Sequence, residues 1–393
     1  MDKTDNNYSI KVVQDLEEFR KLKDIWDSLV ERHGLYTPWL SWDWFDLFIK
    51  YFVKDGTLLI LLVYKSDEIA AIIPLAIAER KYKGLLKARI VQFISNMHSP
   101  VSSFIFSDSC IESQRAIVER IVRYFHDEYT DWDILEFEKI PEENNFYSAF
   151  TNAISGVSLK NRTYPHKGDW YLDGISYSFA EYFKGLPRIH RKDTNRNKRR
   201  LQGKGNLTFY LKSDTGDLEN YLDLYSEVRG KSWKAAEKDS GFLREVTKLF
   251  AEKGWLRLAF LFFNGAPIAC DKWMVWNRIG YAWDGLYDLE FSNYSPGKVL
   301  ESEIIEYMID QEKVFEIDFG EGDETYKKRW TPRRRERKGI TVFNNNIKAN
   351  ILALIMIKVL PFFERQSYLV SVKKRISDYL KQKNDNDDNV RIA

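Results

Sequence analysis

The sequence is poor in the residues that build disulfide frameworks and metal sites. Its 393 residues include two cysteines, Cys110 and Cys270, and five histidines. Two cysteines are too few for a disulfide framework and favour a reducing compartment. No histidine is spaced with carboxylates or cysteines as in a zinc site. We therefore expect no metal and a fold that depends on its apolar core.

Long apolar runs are missing as well. No stretch reaches the roughly 18 apolar residues that a membrane-spanning helix needs. The nearest approach, Ile351 to Phe363, is interrupted by Lys358 and Pro361. The N-terminal residues are polar and carry no signal-peptide core. We expect a cytoplasmic protein that does not cross a membrane.

Several catalytic and nucleotide-binding motifs are absent from the sequence. It has no phosphate loop of the form GxxxxGKS/T and no GxGxxG after a strand. It also lacks the GxSxG nucleophile elbow. These absences argue against nucleotide-driven enzymes and serine hydrolases.

The composition is that of a globular protein with a large core. Apolar residues make up 44% of the chain and charged residues 30%, which excludes disorder as the main state. Sixty basic and 58 acidic residues give a net charge of +2. A histone-like protein is therefore excluded, although local basic patches are not. At about 150 residues per domain, the length predicts two to three domains.

Three sequence patterns occur twice, in the same order and at similar offsets. The pairs are a strand entering a helix at Ile10 and Leu207, an apolar hairpin turning at Ser66 and Asn264, and a short strand at Asp133 and Glu316. Asn264 precedes Gly265, and Asn-Gly is a strong hairpin signal. The repeat predicts two copies of one α/β unit.

Helical spacing of apolar residues completes this outline. The predicted helices are 16–31 and 39–51 in the first copy, and 218–236 and 241–253 in the second. The segment 140–173 contains Pro141, Gly156, Pro165 and Gly168. We interpret this turn-rich segment as the linker between the copies.

The segment 278–330 contains most of the candidate functional residues of the sequence. A strand at 278–286 leads into a helix at 299–311, with Ser295 as its cap and Pro296 in its first turn. Gly297 allows close approach to the backbone, and Lys298 adds positive charge where the helix dipole is already positive. The pattern predicts an anion site; an ordinary cap with an exposed lysine is the alternative.

A second strand, 314–319, ends in a loop with two glycines and many charges. Open α/β sheets bind ligands at the carboxyl ends of their strands. A solvated charged loop is the alternative interpretation. The residues that would crowd this end are Asp318, Glu321, Asp323, Tyr326, Lys327 and Trp330.

These two segments together resemble a known family. Tyr294-Ser-Pro-Gly-Lys before a helix, then Asp318-Phe-Gly-Glu-Gly-Asp with Tyr326-Lys and Trp330, resembles the GNAT-type acyltransferases associated with bacterial cellulose and exopolysaccharide biosynthesis. That family is similar to the Fem aminoacyl transferases of peptidoglycan crossbridge synthesis, which also carry a duplicated GNAT unit. The resemblance covers about residues 8–345 and is most specific over 255–330.

The resemblance implies an α/β (α+β) fold: a tandem duplicated GNAT-like acyl-CoA N-acyltransferase fold with mixed sheets flanked by helices. With the repeat, it predicts three parts. Residues 1–160 form a degenerate, structural GNAT-like unit, and residues 161–345 form the catalytic unit. Residues 346–393 form an amphipathic helical extension with a polar tail.

The resemblance also implies acetyl-CoA or another acyl-CoA as donor, bound along a bulged strand at 281–286. A backbone N–H near Trp283 would polarise the thioester carbonyl. The implied donor-binding residues are Trp283, Ser295, Gly297 and Lys298, and the implied acceptor-binding residues are Tyr287, Asp318, Glu321 and Trp330. The implied catalytic residues are Asp284 or Asp323 as base, Tyr326 as proton donor to the thiolate, and Lys327 as ligand of an anionic group.

Aminoacyl-tRNA is the alternative donor, because the Fem enzymes use it. Those enzymes typically insert a long helical arm into the second unit. Here residues 218–253 provide only a helix pair between two strands, which favours CoA.

Two basic segments have open interpretations. Residues 188–204 hold eight Lys or Arg and one acidic residue, and 333–338 hold five more basic residues. They fit RNA, a membrane surface, a phosphorylated sugar or a solvated helix face. No aromatics interleave with the basic residues of 188–204, which disfavours base stacking. We therefore do not expect a nucleic-acid partner.

The C-terminal segment 349–380 is predicted to form amphipathic helices broken at Pro361. It could contact a membrane interface, the body of the protein or a second subunit.

The sequence thus predicts an acyl-CoA-dependent N- or O-acyltransferase of a bacterium. We expect transfer, most simply of acetyl, to a sugar, amino-sugar or amine acceptor, including lipid-linked sugars. The setting would be exopolysaccharide or envelope biosynthesis, at or near the inner membrane. The alternatives are a Fem-like aminoacyl-tRNA-dependent transferase and a non-catalytic RNA- or membrane-binding adaptor.

Overall fold

The computed structural model describes residues 8–32, 37–54, 57–107, 110–142, 145–234, 239–322 and 324–365. The strands are β1 Tyr8–Val13, β2 Leu58–Lys65, β3 Glu68–Lys81, β4 Lys87–Phe93, β5 Ile105–Phe106, β6 Ile134–Pro141, β7 Lys160–Leu172, β8 Leu207–Lys212, β9 Leu256–Phe263, β10 Ala266–Trp276, β11 Ile279–Tyr287, β12 Glu316–Glu321 and β13 Arg334–Phe343. The helices are α1 Leu16–Arg20, α2 Lys23–Arg32, α3 Trp42–Phe52, α4 Ile111–Arg123, α5 Asn145–Gly156, α6 Phe179–Gly185, α7 Arg188–Gln202, α8 Leu218–Gly230, α9 Ser240–Glu252, α10 Pro296–Asp310, α11 Ile347–Leu354 and α12 Leu360–Arg365.

The strands form one mixed sheet in the order β1-β2-β3-β4-β6-β13-β7-β12-β11-β10-β9-β8, with β5 beside β3. Within the first half, β1 to β4 pair antiparallel and β4 pairs parallel to β6. Within the second half, β8 to β11 pair antiparallel and β11 pairs parallel to β12. The two halves have the same strand order and directions, so the internal repeat and the mixed α/β class are confirmed.

The two halves are joined by exchanged strands at the centre of the sheet. β13, the last strand of the chain, pairs antiparallel with β6 of the first half. β7, which follows the first half, pairs antiparallel with β12 of the second half. β7 and β13 also pair with each other. The sheet therefore runs continuously from one unit into the other.

The predicted linker at 140–173 is wrong, because this segment forms α5 and β7. Pro165 lies in the part of β7 that pairs with β13, opposite Lys338, while the pairing to β12 begins only at Asp169. A proline there removes no hydrogen bond to a second neighbour. Gly168 is required because an added Cβ would lie 2.3 Å from the carbonyl oxygen of Arg335.

Two helix predictions need correction. The helix expected over 16–31 is two helices, α1 and α2, with a turn at Lys21 and Leu22 between them. Pro361 does not break the C-terminal helix; a π-helical turn at Ile355–Val359 precedes it. The wider turn fits a residue that has no N–H for the regular helical bond.

Helices cover both faces of the sheet. One continuous core combines α1–α3 of the first half with α8 and α9 of the second. On the other face, α4 and α5 cover the first half, and α6, α7 and α10 cover the second. α11 packs its buried residues, including Ala349 and Leu352, on Tyr82 and Phe343. This part of the C-terminal extension therefore contacts the body of the protein, while residues 366–380 of the predicted segment lie outside the described residues.

None of the helices in the described ranges is long and apolar enough to cross a membrane.

Candidate functional site

The site is built around a bulge in β11. Trp273 of β10 pairs with Ala282, and the preceding Lys272 pairs with Asp284. Trp283 is thus the additional residue of β11, as the resemblance implied for this strand. A bulge re-aims side chains and leaves backbone groups outside the ladder.

The sheet ladder opens at the same position. The parallel pairing of β11 with β12 covers Ile279 to Tyr281 and ends where Tyr281 meets Asp318. β11 continues to Tyr287 without a β12 partner. A cleft between two strand ends results, as expected for a ligand site in an α/β sheet.

The first unit supplies an aromatic wall to this cleft. Trp39, before α3, is edge-on to Tyr281 at 5.0 Å between ring centres. Trp44 of α3 lies 6.4 Å from Trp283. The predicted aromatic helix therefore packs directly beside the bulge.

Helix α10 begins at the end of this cleft. Pro296 is its first residue, and Gly297 and Lys298 follow. The predicted cap by Ser295 is wrong: its side chain makes no capping hydrogen bond and its backbone is left-handed, with φ 48°. Pro296 has no N–H, so the helix geometry leaves the Gly297 N–H facing outward from the helix end. Lys298 is half-buried beside it, and burial and the charge of Arg329 lower its pKa.

Asp284 is held in a network of donors. Its carboxylate accepts hydrogen bonds from Tyr225 and Arg229, and from Lys234 at 2.5 Å. Burial acts to raise its pKa, but the charge and hydrogen bond of Lys234 outweigh this and lower it. A carboxylate with three donors is a poor proton acceptor. The geometry therefore favours a structural role for Asp284 over the predicted role as base.

Two carboxyl groups that the sequence did not single out lie at the cleft. Asp271 of β10 stands opposite Gly285 of β11. Burial raises its pKa to about 7. Burial likewise raises the pKa of Glu301, on the second turn of α10, to about 8. Both residues are only half-buried as a whole, so they are desolvated yet reachable. Such groups are candidates for acid–base chemistry.

Tyr326 stands next to these carboxyl groups. Burial, followed by the charges of Glu301 and Asp271, raises its pKa above the usual range. Its side chain is 44% exposed. The phenol therefore stays protonated and accessible, as a proton donor must be.

Lys327 is buried in the loop after β12. Its ammonium donates to the carbonyl oxygens of Glu321 at 2.7 Å and Gly320 at 3.2 Å, and it lies 3.3 Å from Glu324. Only 5% of its surface is exposed. The structure places it as a brace of the loop after β12, and its predicted role as ligand of an anion has no support in this geometry.

The predicted acceptor residues are separated. Tyr287 lies over Gly297 at the start of α10. Asp318 is buried, accepts from the Gly320 N–H and faces Arg335. Glu321 reaches Lys139 at 3.4 Å. Both carboxylates thus join the halves of the sheet.

Two further predicted residues are not part of the cleft surface as described. Trp330 is fully buried beneath α7, and Asp323 lies outside the described residues.

The two basic segments differ in structure. In the segment 333–338, three arginines pair with carboxylates: Arg333 with Asp173, Arg335 with Glu316, and Arg337 with the buried Asp169. Of these three, Arg337 is buried and Arg333 is exposed, so ion pairs hold the second cluster against the edge of β7 and β12. The outer face of α7 instead lines a groove of about 490 Å³. Its lining residues are Arg188, Arg191, Lys192, Asn195, Arg196, Arg199 and Arg200.

The described residues of the first unit do not repeat the features of this cleft. Its equivalent pair, β3 and β4, runs without a register shift. The helix that follows, α4, begins at Ile111 and has Glu112 in its first turn. An acidic residue there opposes anion binding.

Comparison with known families shows what the second unit resembles. Residues 188–328, which contain the bulge, the start of α10 and Tyr326, match the acetyltransferase (GNAT) domain family. This part of the chain, about a third of its length, is therefore similar to GNAT acetyltransferase domains. No curated protein matches the chain by sequence.

Solved structures share the fold of the whole chain. FemX superposes with a TM-score of 0.56 at 10% identity, over 87% of this chain and 100% of FemX. A conserved protein of unknown function from Bacteroides thetaiotaomicron gives 0.54 at 10% identity, over 85% and 100%. The C-terminal domain of a protein described as a lysylphosphatidylglycerol synthetase, from Agrobacterium fabrum, gives 0.51 at 12% identity, over 86% and 96%. At these identities the likeness shows the fold alone.

Proposed function

We propose that the protein transfers an acyl group, most simply acetyl, from acyl-CoA to an amine or hydroxyl of a sugar or amino-sugar acceptor. One observation carries the proposal. The GNAT domain opens its ladder after Tyr281, bulges at Trp283, and starts a helix with Lys298 at the end of the same cleft. A thioester with a phosphate-bearing arm fits this order of features.

In this proposal the donor lies along β11. Its pantetheine arm takes the backbone groups that the ladder leaves open beside Trp283 and Tyr287. Its pyrophosphate takes the Gly297 N–H, the Ser295 hydroxyl and the Lys298 ammonium at the start of α10. The aromatic wall from Trp39 and Trp44 excludes water from the acyl end.

The chemistry is direct transfer. The acceptor nitrogen or oxygen attacks the thioester carbonyl carbon, and its proton passes to the carboxylate of Glu301. A backbone N–H at the bulge stabilises the oxyanion. The carbon–sulfur bond then breaks, and the thiolate takes the proton of Tyr326. Asp271 adds negative charge beside Glu301 and keeps it basic. Asp323 stays a predicted alternative base.

The acceptor class rests on the sequence resemblance to the exopolysaccharide-associated acyltransferases. We also propose that residues 1–160 are structural and serve to wall the cleft, with residues 161–345 as the catalytic unit. The proposal for the first unit is supported by the regular β4 and by Glu112 at the start of α4.

A second candidate is a donor carried on RNA. It is favoured by the groove on α7, where six cationic residues follow one another along the helix. From Arg188 to Arg200 the helix rises about 18 Å at about 1.5 Å per residue, which is longer than the phosphate cluster of one CoA. A phosphodiester backbone would match that length.

Calorimetric titration separates the two candidates. The protein is titrated with acetyl-CoA, with longer acyl-CoAs and with a short RNA ending in CCA. Acyl-CoA binding at physiological salt, followed by thiol release in the presence of amino sugars, supports the first proposal. Salt-sensitive RNA binding with no heat from any acyl-CoA contradicts it and favours the second.

A further inference from the structure

His190 occupies a buried position between the two helices that frame the proposed phosphate site. It lies on the face of α7 that packs against α10, and 4% of its surface is exposed. Its imidazole meets the ring of Trp330 edge-to-face at 4.4 Å.

The imidazole makes no hydrogen bond within the described part of the chain. Neither Nδ1 nor Nε2 has a partner there. A buried polar group without a partner costs free energy. Trp330 packs edge-to-face on the ring, and Lys298 at the start of α10 is the charged group that acts on the imidazole most strongly.

The charges around the imidazole are unbalanced. Lys298 of α10 and Arg329 after β12 both act on it, as does Asp193 of α7. Arg196 pairs with Asp193 at 2.9 Å, and Arg196, Arg329 and Glu301 all act on Lys298. Glu301 has a pKa of about 8 and is mostly uncharged at pH 6. The cations are Lys298, Arg329 and Arg196, and the one ionised carboxylate is that of Asp193. About two positive charges therefore remain at the start of α10.

We propose that His190 is a ligand of the donor's phosphate: on donor binding its imidazole takes a proton from solvent and donates a hydrogen bond to the anion at the start of α10. The proposal rests on the placement of CoA in the proposed function. It adds a proton-linked step to donor binding and assigns a role to a residue that the cleft geometry alone does not use.

The protonation states give the linkage its sign. In the free protein, burial and the positive charge of Lys298 lower the pKa of His190 to about 4. A bound anion raises it. At a pH between the His190 pKa of the free protein and that of the CoA complex, binding takes up a proton. CoA affinity therefore falls as pH rises through this range and levels off above it.

The test is calorimetry of CoA binding at pH 6 in buffers of different ionisation enthalpy. At this pH Glu301, with a pKa of about 8, keeps its proton, and the phosphate protons of CoA are the same for every variant compared. Wild-type protein is expected to take up more protons than His190→Gln, by up to one per CoA. The variant is expected to bind CoA about tenfold more weakly at pH 6, with a smaller gap at pH 8. His126→Gln, at a partly exposed histidine beside Asp127 in the first unit, is the matched control and is expected to behave as wild type.

The outcomes are distinct. Equal proton uptake and equal affinity in wild type and His190→Gln overturn the proposal while CoA binding keeps the proposed function. No CoA binding by the wild type overturns both. If His190→Gln fails to fold by thermal melting, histidine-labelled wild type is followed by NMR. One imidazole is then expected to shift to its protonated position on CoA addition, and no such shift overturns the proposal.

Discussion

The ring of Tyr287 lies directly over Gly297: a Cβ added to Gly297 would stand 3.3 Å from Cδ1 of Tyr287. The last residue of β11 thus shields one side of the first turn of α10. The same contact defines how closely a ligand can approach the Gly297 N–H.

Gly297→Ala is therefore expected to weaken CoA binding by about tenfold, because the added methyl pushes the Tyr287 ring towards the ligand. The free energy of unfolding should change little, since alanine favours the helix. Calorimetry measures the affinity. Gly230→Ala, where nothing lies within 4 Å of the added Cβ, is the control. Equal CoA affinity in both variants would count against the placement of the donor phosphates.

Glu301→Gln is expected to lower kcat by about a hundredfold, because the base that takes the acceptor's proton is lost. The wild-type kcat should rise with pH and level off above about 8, following ionisation of Glu301. This rise of kcat with pH should be absent in the variant. A pH series of thiol release measures both. Glu306→Gln, further along the exposed side of α10, should keep wild-type kinetics; an unchanged profile in Glu301→Gln would exclude Glu301 as the base.

Tyr326→Phe is expected to lower kcat by about tenfold or more with little change in KM, since the phenol acts on the departing thiolate. The side chain is 44% exposed, so stability should hardly change. Steady-state kinetics with acetyl-CoA test this. Unchanged turnover would remove Tyr326 from the mechanism.

Asp284→Asn is expected to destabilise the protein by about 3 kcal/mol at pH 7, because Arg229 and Lys234 lose their shared carboxylate in a mostly buried position. The pKa of Asp284 is lowered in the folded protein. Its contribution is therefore fully present above the unfolded pKa of about 4 and is lost as pH falls through the folded value. Urea unfolding should show the gap to wild type closing below about pH 4.

Asp223→Asn is the control for that experiment. Its carboxylate is 71% exposed and pairs with Arg244 on the surface, where an ion pair adds little. A loss in Asp284→Asn no larger than in Asp223→Asn would contradict the buried network.

The sequence was sufficient for the features that depend on local pattern. The apolar hairpins at Ser66 and Asn264 and the aromatic helix near Trp44 follow from spacing and turn chemistry, and the structure contains them. The helix after Ser295 was predicted too, although Ser295 does not cap it. The family resemblance implied a bulged strand at 281–286, and the structure places the bulge at Trp283.

The sequence was insufficient where distant segments meet. β7 contains Pro165 and Gly168 and looked like a linker, because its partner β13 lies more than 160 residues further along the chain. Arg337 looked like a surface charge for the same reason, since its partner is Asp169.

The acidic residues of the site show the same limit. Asp271 and its neighbour Lys272 are the two charged residues of an otherwise apolar strand, which was the available signal, yet the burial that raises the pKa of Asp271 follows from the fold. Glu301 has no sequence signal of its own, because its environment depends on Tyr326 and Trp330 from after β12.

The central claim is that the start of α10 holds the phosphates of an acyl-CoA donor. Titration of CoA into wild type and Lys298→Met tests it most directly. The structure predicts one CoA per chain for the wild type and at least tenfold weaker binding for Lys298→Met, with unchanged thermal stability. Equal CoA affinity in the two proteins, or no CoA binding by the wild type, would contradict it.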